Sequence, residues 1–172
     1  MEKSIRIKAS NITNLTDARY FAAYMVDWMG FRFSKEAGAG LNIEDAKTIR
    51  DWIVGPEIIA EFDSFDPDFV FQVTDQLGTK NIQLDKMPDE QLPEEYFLFD
   101  KPVEVNSKVE AQDMLDKDPD VILQINANPE MIHSILKDIP IQALSIEGSA
   151  EEEVGVKSFE SINDLFDLLE DF

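Results

Sequence analysis

The stretch that decides the fold is "IRIKASNITNLTDARYFAAYMVDWMGFRF", Ile5 to Phe33. Ile5 to Ser10 is rich in residues that favour a strand. Asn14 is placed to cap a helix, and Leu15, Ala18, Ala22 and Met25 recur at the helical period. Trp28 to Phe33 is again strand-like. The turn between the first strand and the helix carries Lys8, Ser10, Asn11, Thr13 and Asn14, a set of groups suited to holding a small polar ligand.

The same alternation continues outward from this unit. A loop, "SKEAGAGLN", leads to Asn42, which caps a helix with Ala46, Ile49 and Ile53 facing inward. Glu57 to Asp63 reads as a third strand. Asp66 followed by Pro67 opens a helix striped by Val70, Val73 and Leu77, and Gly78 closes it. Asn81 to Asp85 is a short fourth strand, and "KMPDEQLPEEY" after it reads as a loop or an irregular helix. The fifth strand is expected within Phe97 to Asn106, in its later part "PVEVN". Ser107 and Glu110 form a capping box. Asp120 to Asn126, a helix begun by Asn128 and Pro129, and Ile141 to Glu147 follow. A helix with Phe159, Ile162, Phe166 and Leu169 on one side ends the chain.

Seven βα units are thus expected in one domain spanning residues 1–172. Strict alternation requires a parallel sheet, because parallel neighbours need a crossover and a helix supplies it. The architectures that fit are a (β/α) barrel and an open doubly wound sheet. A complete eight-unit barrel ordinarily needs at least about 200 residues, so a barrel of 172 residues is compact or incomplete. The absence of G-x-G-x-x-G after the first strand weakens the dinucleotide-binding form of the open sheet.

Composition narrows the chemistry. There is no cysteine and one histidine, His133, which excludes thiolate nucleophiles, disulfides and multi-histidine metal sites. Thirty-six acidic against fifteen basic residues give a net charge of −21. With no basic cluster, such a field repels nucleic acid and anionic membrane. No apolar run is long enough to span a membrane and no signal-peptide core is present, so a cytoplasmic location is expected.

The first unit resembles that of phosphoribosylanthranilate isomerase of tryptophan biosynthesis. In that family a strand ends in K-x-C-G-x-T-N, a helix begins L-x-D-A and a second strand ends in G-F-x-F. Here the positions are Lys8, Ser10, Asn11, Thr13 and Asn14, then Leu15, Asp17 and Ala18, then Gly30, Phe31 and Phe33. "NIEDAKTI", "NIQLD", "ANPEMI" and "EEEVGVKSFESI" are similar, in order, to later family segments. The resemblance implies a TIM-type barrel, shortened by loss or merging of the family's sixth helix and seventh strand. It implies a cofactor-free Amadori rearrangement, with a cysteine as general base and an aspartate as general acid. An arginine would hold the anthranilate, and glycine-rich turns the phosphate.

This chain departs from that pattern at each site. The base position holds Ser10, a far weaker base than a thiolate, and the glycine after it is Asn11. The arginine position falls on Ala39, and Gln124 or Asn126 stands where the acid is expected. The late phosphate turn falls on Glu147, Gly148 and Ser149, and a glutamate about 4 Å from a phosphate costs roughly 1 kcal/mol even in water-like surroundings. The expectation is an isomerase-like barrel that is non-catalytic or repurposed to bind a small polar ligand or a protein. The alternative is an active isomerase using other residues. Lys8, Ser10, Asn11, Asp63, Gln83, Asp85 and Gly148 are the expected pocket residues, with Lys8, Asp63 and Asp85 read equally as an internal ion network. No metal or cofactor is expected. A missing unit would leave a strand edge to be covered, which suggests a homodimer.

Overall fold

The computed structural model describes residues 5–36, 38–89, 91–147, 159–170 and 172. The chain forms two compact units, Ala9–Lys101 and Met1–Lys8 with Pro102–Phe172. The first strand, β1 (Arg6–Ile12), contributes residues to both. The continuous unit then holds α1 (Leu15–Ala23), β2 (Trp28–Phe33), α2 (Ile43–Trp52), β3 (Glu57–Ser64), α3 (Pro67–Leu77), β4 (Asn81–Lys86) and β5 (Phe97–Phe99). The other holds β6 (Val103–Val105), α4 (Lys108–Lys117), β7 (Ile122–Ile125), α5 (Pro129–Asp138), β8 (Ala143–Glu147) and α6 (Glu160–Leu169). Within the first unit the strand order is β1-β2-β3-β4-β5, and within the second β1-β8-β7-β6. The pairings β2–β3, β3–β4, β4–β5, β6–β7 and β7–β8 are parallel. The fold is α/β of TIM type, one of the two architectures that the alternation allows and the one that the resemblance implies.

Helix starts lie where the capping residues place them. The side chains of Asn14, Asn42, Asp66 and Asn128 accept from the backbone N–H groups of Asp17, Asp45, Phe69 and Met131. Ser107 accepts from Glu110 N–H at 3.3 Å, and the Glu110 carboxylate accepts in turn from Asn106 N–H at 2.7 Å. Each cap satisfies a donor that the first helical turn leaves open. Gly78 ends α3 with φ 68°, in the left-handed region where only glycine is unstrained.

Two sequence expectations are corrected. In α1 the buried residues are Asp17, Ala18 and Phe21, not the stripe ending in Met25. The helix stops at Ala23, and Met25 turns outward at φ 53° and 85% exposure. The strand count is eight, not seven. Phe97–Phe99 is a strand of its own, paired with β4, while Val103–Val105 pairs with β7. Three residues, 100–102, separate them, far fewer than the dozen or so that a parallel crossover needs. The two short runs therefore read as one strand in the sequence. The shortening falls on helices: none lies among the described residues between β4 and β5 or between β5 and β6, while β7 and β8 are both present.

Where a helix would follow β4, Tyr96 holds the chain in place. It is 8% exposed, its ring stacks on Phe71 at 5.7 Å, and its hydroxyl lies 2.9 Å from Thr74 Oγ1 on α3. The register sorts the sheet's faces. Phe33, Phe62 and Leu84 are partners, as are Phe31, Ala60 and Ile82, and all are buried. Burial of each large apolar side chain contributes about 1.5–3 kcal/mol. Alternation puts Gly30, Arg32, Ile59, Glu61 and Gln83 on the opposite face, since neighbouring residues of a strand point to opposite sides.

Candidate functional site

That opposite face is polar toward the strand ends. Arg32 pairs with Glu61 in register, and Glu61 with Gln83. Glu61 is fully buried. Gly30 makes room for it: a Cβ at Gly30 would lie 1.9 Å from Glu61 Oε1 and 2.4 Å from its Cδ. Glu61 Oε2 accepts from the backbone N–H of Asn11 at 3.0 Å. Asn11 has φ 56°, a left-handed conformation that asparagine tolerates better than other non-glycine residues.

One step further toward the strand ends, the Arg32 guanidinium donates to both Asp63 and Asp85, the latter at 2.9 Å. Lys101 Nζ adds a looser contact to Asp85 at 3.8 Å. The second Asp85 oxygen, Oδ1, is buried and accepts from no described group. Burial works against the Arg32 charge, but the hydrogen bond to Asp85 and the charges of Asp85, Asp63 and Glu61 outweigh it and hold its pKa above the ordinary arginine range. Stability carried by a raised pKa is present below the unfolded value and lost only as pH rises through the folded one. The Arg32 contribution is therefore constant across ordinary assay pH.

Of the residues expected from sequence, Asp63 and Asp85 meet on Arg32, and Asn11 meets Glu61. Lys8 is fully buried, and Ser10 and Gln83 are 3% and 4% exposed. Ala39 lies in an exposed turn, its N–H donating to the Glu36 carbonyl at 3.2 Å. In the second unit Gln124 ends up partly buried beside Glu104 in register, and the Asn126 side-chain amide donates to Glu104 at 3.1 Å. Glu147 is the exposed last residue of β8, while Gly148 and Ser149 lie outside the described residues. Sequence reasoning passed over Arg32 altogether. Its signal was a lone base between two phenylalanines at a strand's end, two residues after the glycine. Glu61 carries no signal of its own in the sequence beyond its place two residues before Asp63 on a strand. Among the described residues no group of three or more acidic or histidine side chains is placed to hold a metal ion.

A cavity of about 250 Å³ opens beside this cluster. Phe33, Phe62 and Phe69 form its apolar wall, with Phe33–Phe62 ring centroids 5.8 Å apart and Phe62–Phe69 5.7 Å. Glu36, Asp63 and Asp66 supply carboxylates around it. The Lys35 ammonium donates to Asp66 and stands 5.8 Å from the centre of the Phe69 ring. That bond, with the Phe69 N–H, holds the Asp66 carboxyl below its usual range.

A TIM-type chain whose strand ends carry a fixed ion cluster is the class this geometry defines. Comparison with solved structures places the fold more closely. Phosphoribosylanthranilate isomerase from Thermus thermophilus superposes with a TM-score of 0.75 at 22% identity, covering 97% of this chain and 99% of that one. Mutually generated monomers of the dimeric Thermotoga maritima enzyme give 0.68 at 20% identity, over 98% and 100%. The isomerase in complex with reduced 1-(o-carboxyphenylamino)-1-deoxyribulose 5-phosphate gives 0.69 at 20% identity, over 98% and 100%. The resemblance read from the sequence is thus borne out in the fold. No protein-family model matches the chain, and no curated protein does.

Proposed function

We propose that the chain is a phosphoribosylanthranilate isomerase-like protein that does not catalyse the isomerisation and serves as a binding module. The observation that carries this reading is Glu61. Its carboxylate occupies the Asn11 N–H, next to the serine at the base position, and fills the space over Gly30. An anionic substrate brought there finds that donor already used. Ser10 supplies no strong base. A solved isomerase that is similar to this chain is in complex with reduced 1-(o-carboxyphenylamino)-1-deoxyribulose 5-phosphate, which carries a phosphate. Here, by contrast, the position of the late phosphate turn begins with Glu147.

Complementation of an auxotroph lacking phosphoribosylanthranilate isomerase tests this. The expected result is no growth without tryptophan, from a chain shown to be soluble and folded. Growth abolished by Ser10→Ala or Lys8→Met would establish the active-isomerase alternative.

Self-association with a second copy is part of the same proposal. The similar Thermotoga maritima protein is described as dimeric. Here Met25, Trp52 and Val54 are 85%, 66% and 90% exposed, on or beside two loops joined by the Glu57 N–H to Asp27 carbonyl bond. Exposed apolar side chains that gather into one patch mark contact surfaces. Sedimentation equilibrium should give a dimer mass, and Trp52→Ser with Val54→Ser should give a monomer. A monomer for the unaltered chain at about 100 μM would exclude the dimer.

A further inference from the structure

We infer that Met25 is the anchor of the contact between two copies of this chain, held outward at a cost to the stability of the fold. The turn that ends α1 shows the cost. The Met25 N–H donates to the Ala22 carbonyl at 3.0 Å, and the Val26 N–H to the Phe21 carbonyl at 3.5 Å. This pair of bonds closes a helix on a left-handed residue, most often glycine and sometimes asparagine. Here the residue is methionine, at φ 53°. Among the described residues the other non-glycine with positive φ is Asn11, a type that tolerates the region. A left-handed backbone is strained for a side chain with a Cβ. Burial does not offset that strain, because Met25 is 85% exposed. Phe21 and Val26 are buried, so the core holds the turn and the methionine projects outward. Strain kept at an exposed apolar residue has no use inside the chain, which places its use in a contact.

The surroundings fit one. Trp52 and Val54 are exposed, and Arg19 stands 6.0 Å from the centre of the Trp52 ring. Tyr24, next to Met25, has its ring 5.1 Å from that of Tyr20. Tryptophan, tyrosine, methionine and arginine are the side chains enriched at interface centres. Charge favours a second copy as the occupant. Arg19 and Arg50 stand in this region with Asp27, Asp51 and Glu57, two bases to three acids, against fifteen to thirty-six over the whole chain. A copy that also carries −21 can approach only where the field is weak. A contact about a two-fold axis also lets the bases of one copy meet the acids of the other. A strongly charged partner of either sign would find no field to match.

The role of Met25 rests on the self-association proposed above, but the two fail separately. Sedimentation of the unaltered chain decides whether copies associate. The Met25 variants decide what anchors them.

The experiment is sedimentation equilibrium of the full chain and its Met25 variants, with thermal unfolding of Met25→Gly in the Trp52→Ser, Val54→Ser background, where no dimer should form. Met25→Gly and Met25→Asn should each weaken the dimer at least about tenfold. Met25→Leu, which keeps an apolar side chain, should change it less than about threefold. In the monomeric background Met25→Gly should instead raise the Tm by about 2–4 °C, since it relieves the turn and removes no contact. A residue that only braced the turn would lose stability together with association. The anchor is overturned if the chain dimerises and Met25→Asn leaves the dimer as tight, if Met25→Leu weakens it as much as Met25→Asn, or if Met25→Gly lowers the Tm. A dimer that survives Trp52→Ser with Val54→Ser overturns it as well. A monomeric unaltered chain at about 100 μM overturns the self-association and the anchor together.

Discussion

Gly30→Ala should destabilise the chain by about 2–4 kcal/mol, combining overpacking with a disturbed buried hydrogen bond. The new Cβ would lie 1.9 Å from Glu61 Oε1, so the carboxylate must move. It has nowhere neutral to go. Glu61 is fully buried, and any shift stretches its bond to the Asn11 N–H. For a chain of this size that loss corresponds to a fall in Tm of roughly 5–15 °C. The diagnostic measurement is the double variant. Glu61→Ala removes the atoms that clash, so Gly30→Ala in that background should cost at least about 1 kcal/mol less than alone. Additive costs would mean that Gly30 and Glu61 do not meet in solution.

Arg32→Met should be the second large effect, about 2–3 kcal/mol. Breaking a fully buried ion pair costs more, about 3–5 kcal/mol, but here the Arg32 and Asp85 side chains are 15% and 21% exposed. The cost falls mainly on Asp85, whose Oδ1 already lacks a donor and whose remaining cation is Lys101 at 3.8 Å. Asp63 is 62% exposed and is worth little as a partner. Chemical denaturation should therefore show Asp63→Asn costing less than about 1 kcal/mol and Asp85→Asn recovering part of the Arg32→Met loss. Arg32→Lys should not restore stability fully, because one ammonium does not reproduce a fork that reaches two carboxylates. Equal costs for Asp63→Asn and Asp85→Asn would refute this division.

Much of this was legible in the sequence because caps and alternation are local. Asn14, Asn42, Asp66 with Pro67, Ser107 with Glu110, and Asn128 with Pro129 each mark a helix start by a bond that spans three residues. Asp63 and Asp85 were legible as strand-end residues because a β/α chain gathers them at one end of the sheet. What binds them was not, since Arg32 meets Asp63 and Asp85 only through strand register, 31 and 53 residues away. Glu61 and Gly30 were hidden for the same reason. A glycine in a strand shows that something approaches closely, but not what. The separation of β5 from β6 failed for a different reason. Two three-residue strands divided by a proline-ended link have no periodicity of their own to read.

The division of the chain at Lys8 and Pro102 has a consequence for synthesis. Ala9–Lys101 is continuous, so the pairings of β2 through β5 can form on the ribosome as soon as those residues emerge. The other unit is discontinuous. Its bond from Arg6 N–H to the Gln142 carbonyl joins the first strand to residues made long after it. Vectorial folding should therefore proceed in two stages, with the opening residues of β1 waiting until the segment that leads into β8 has been made.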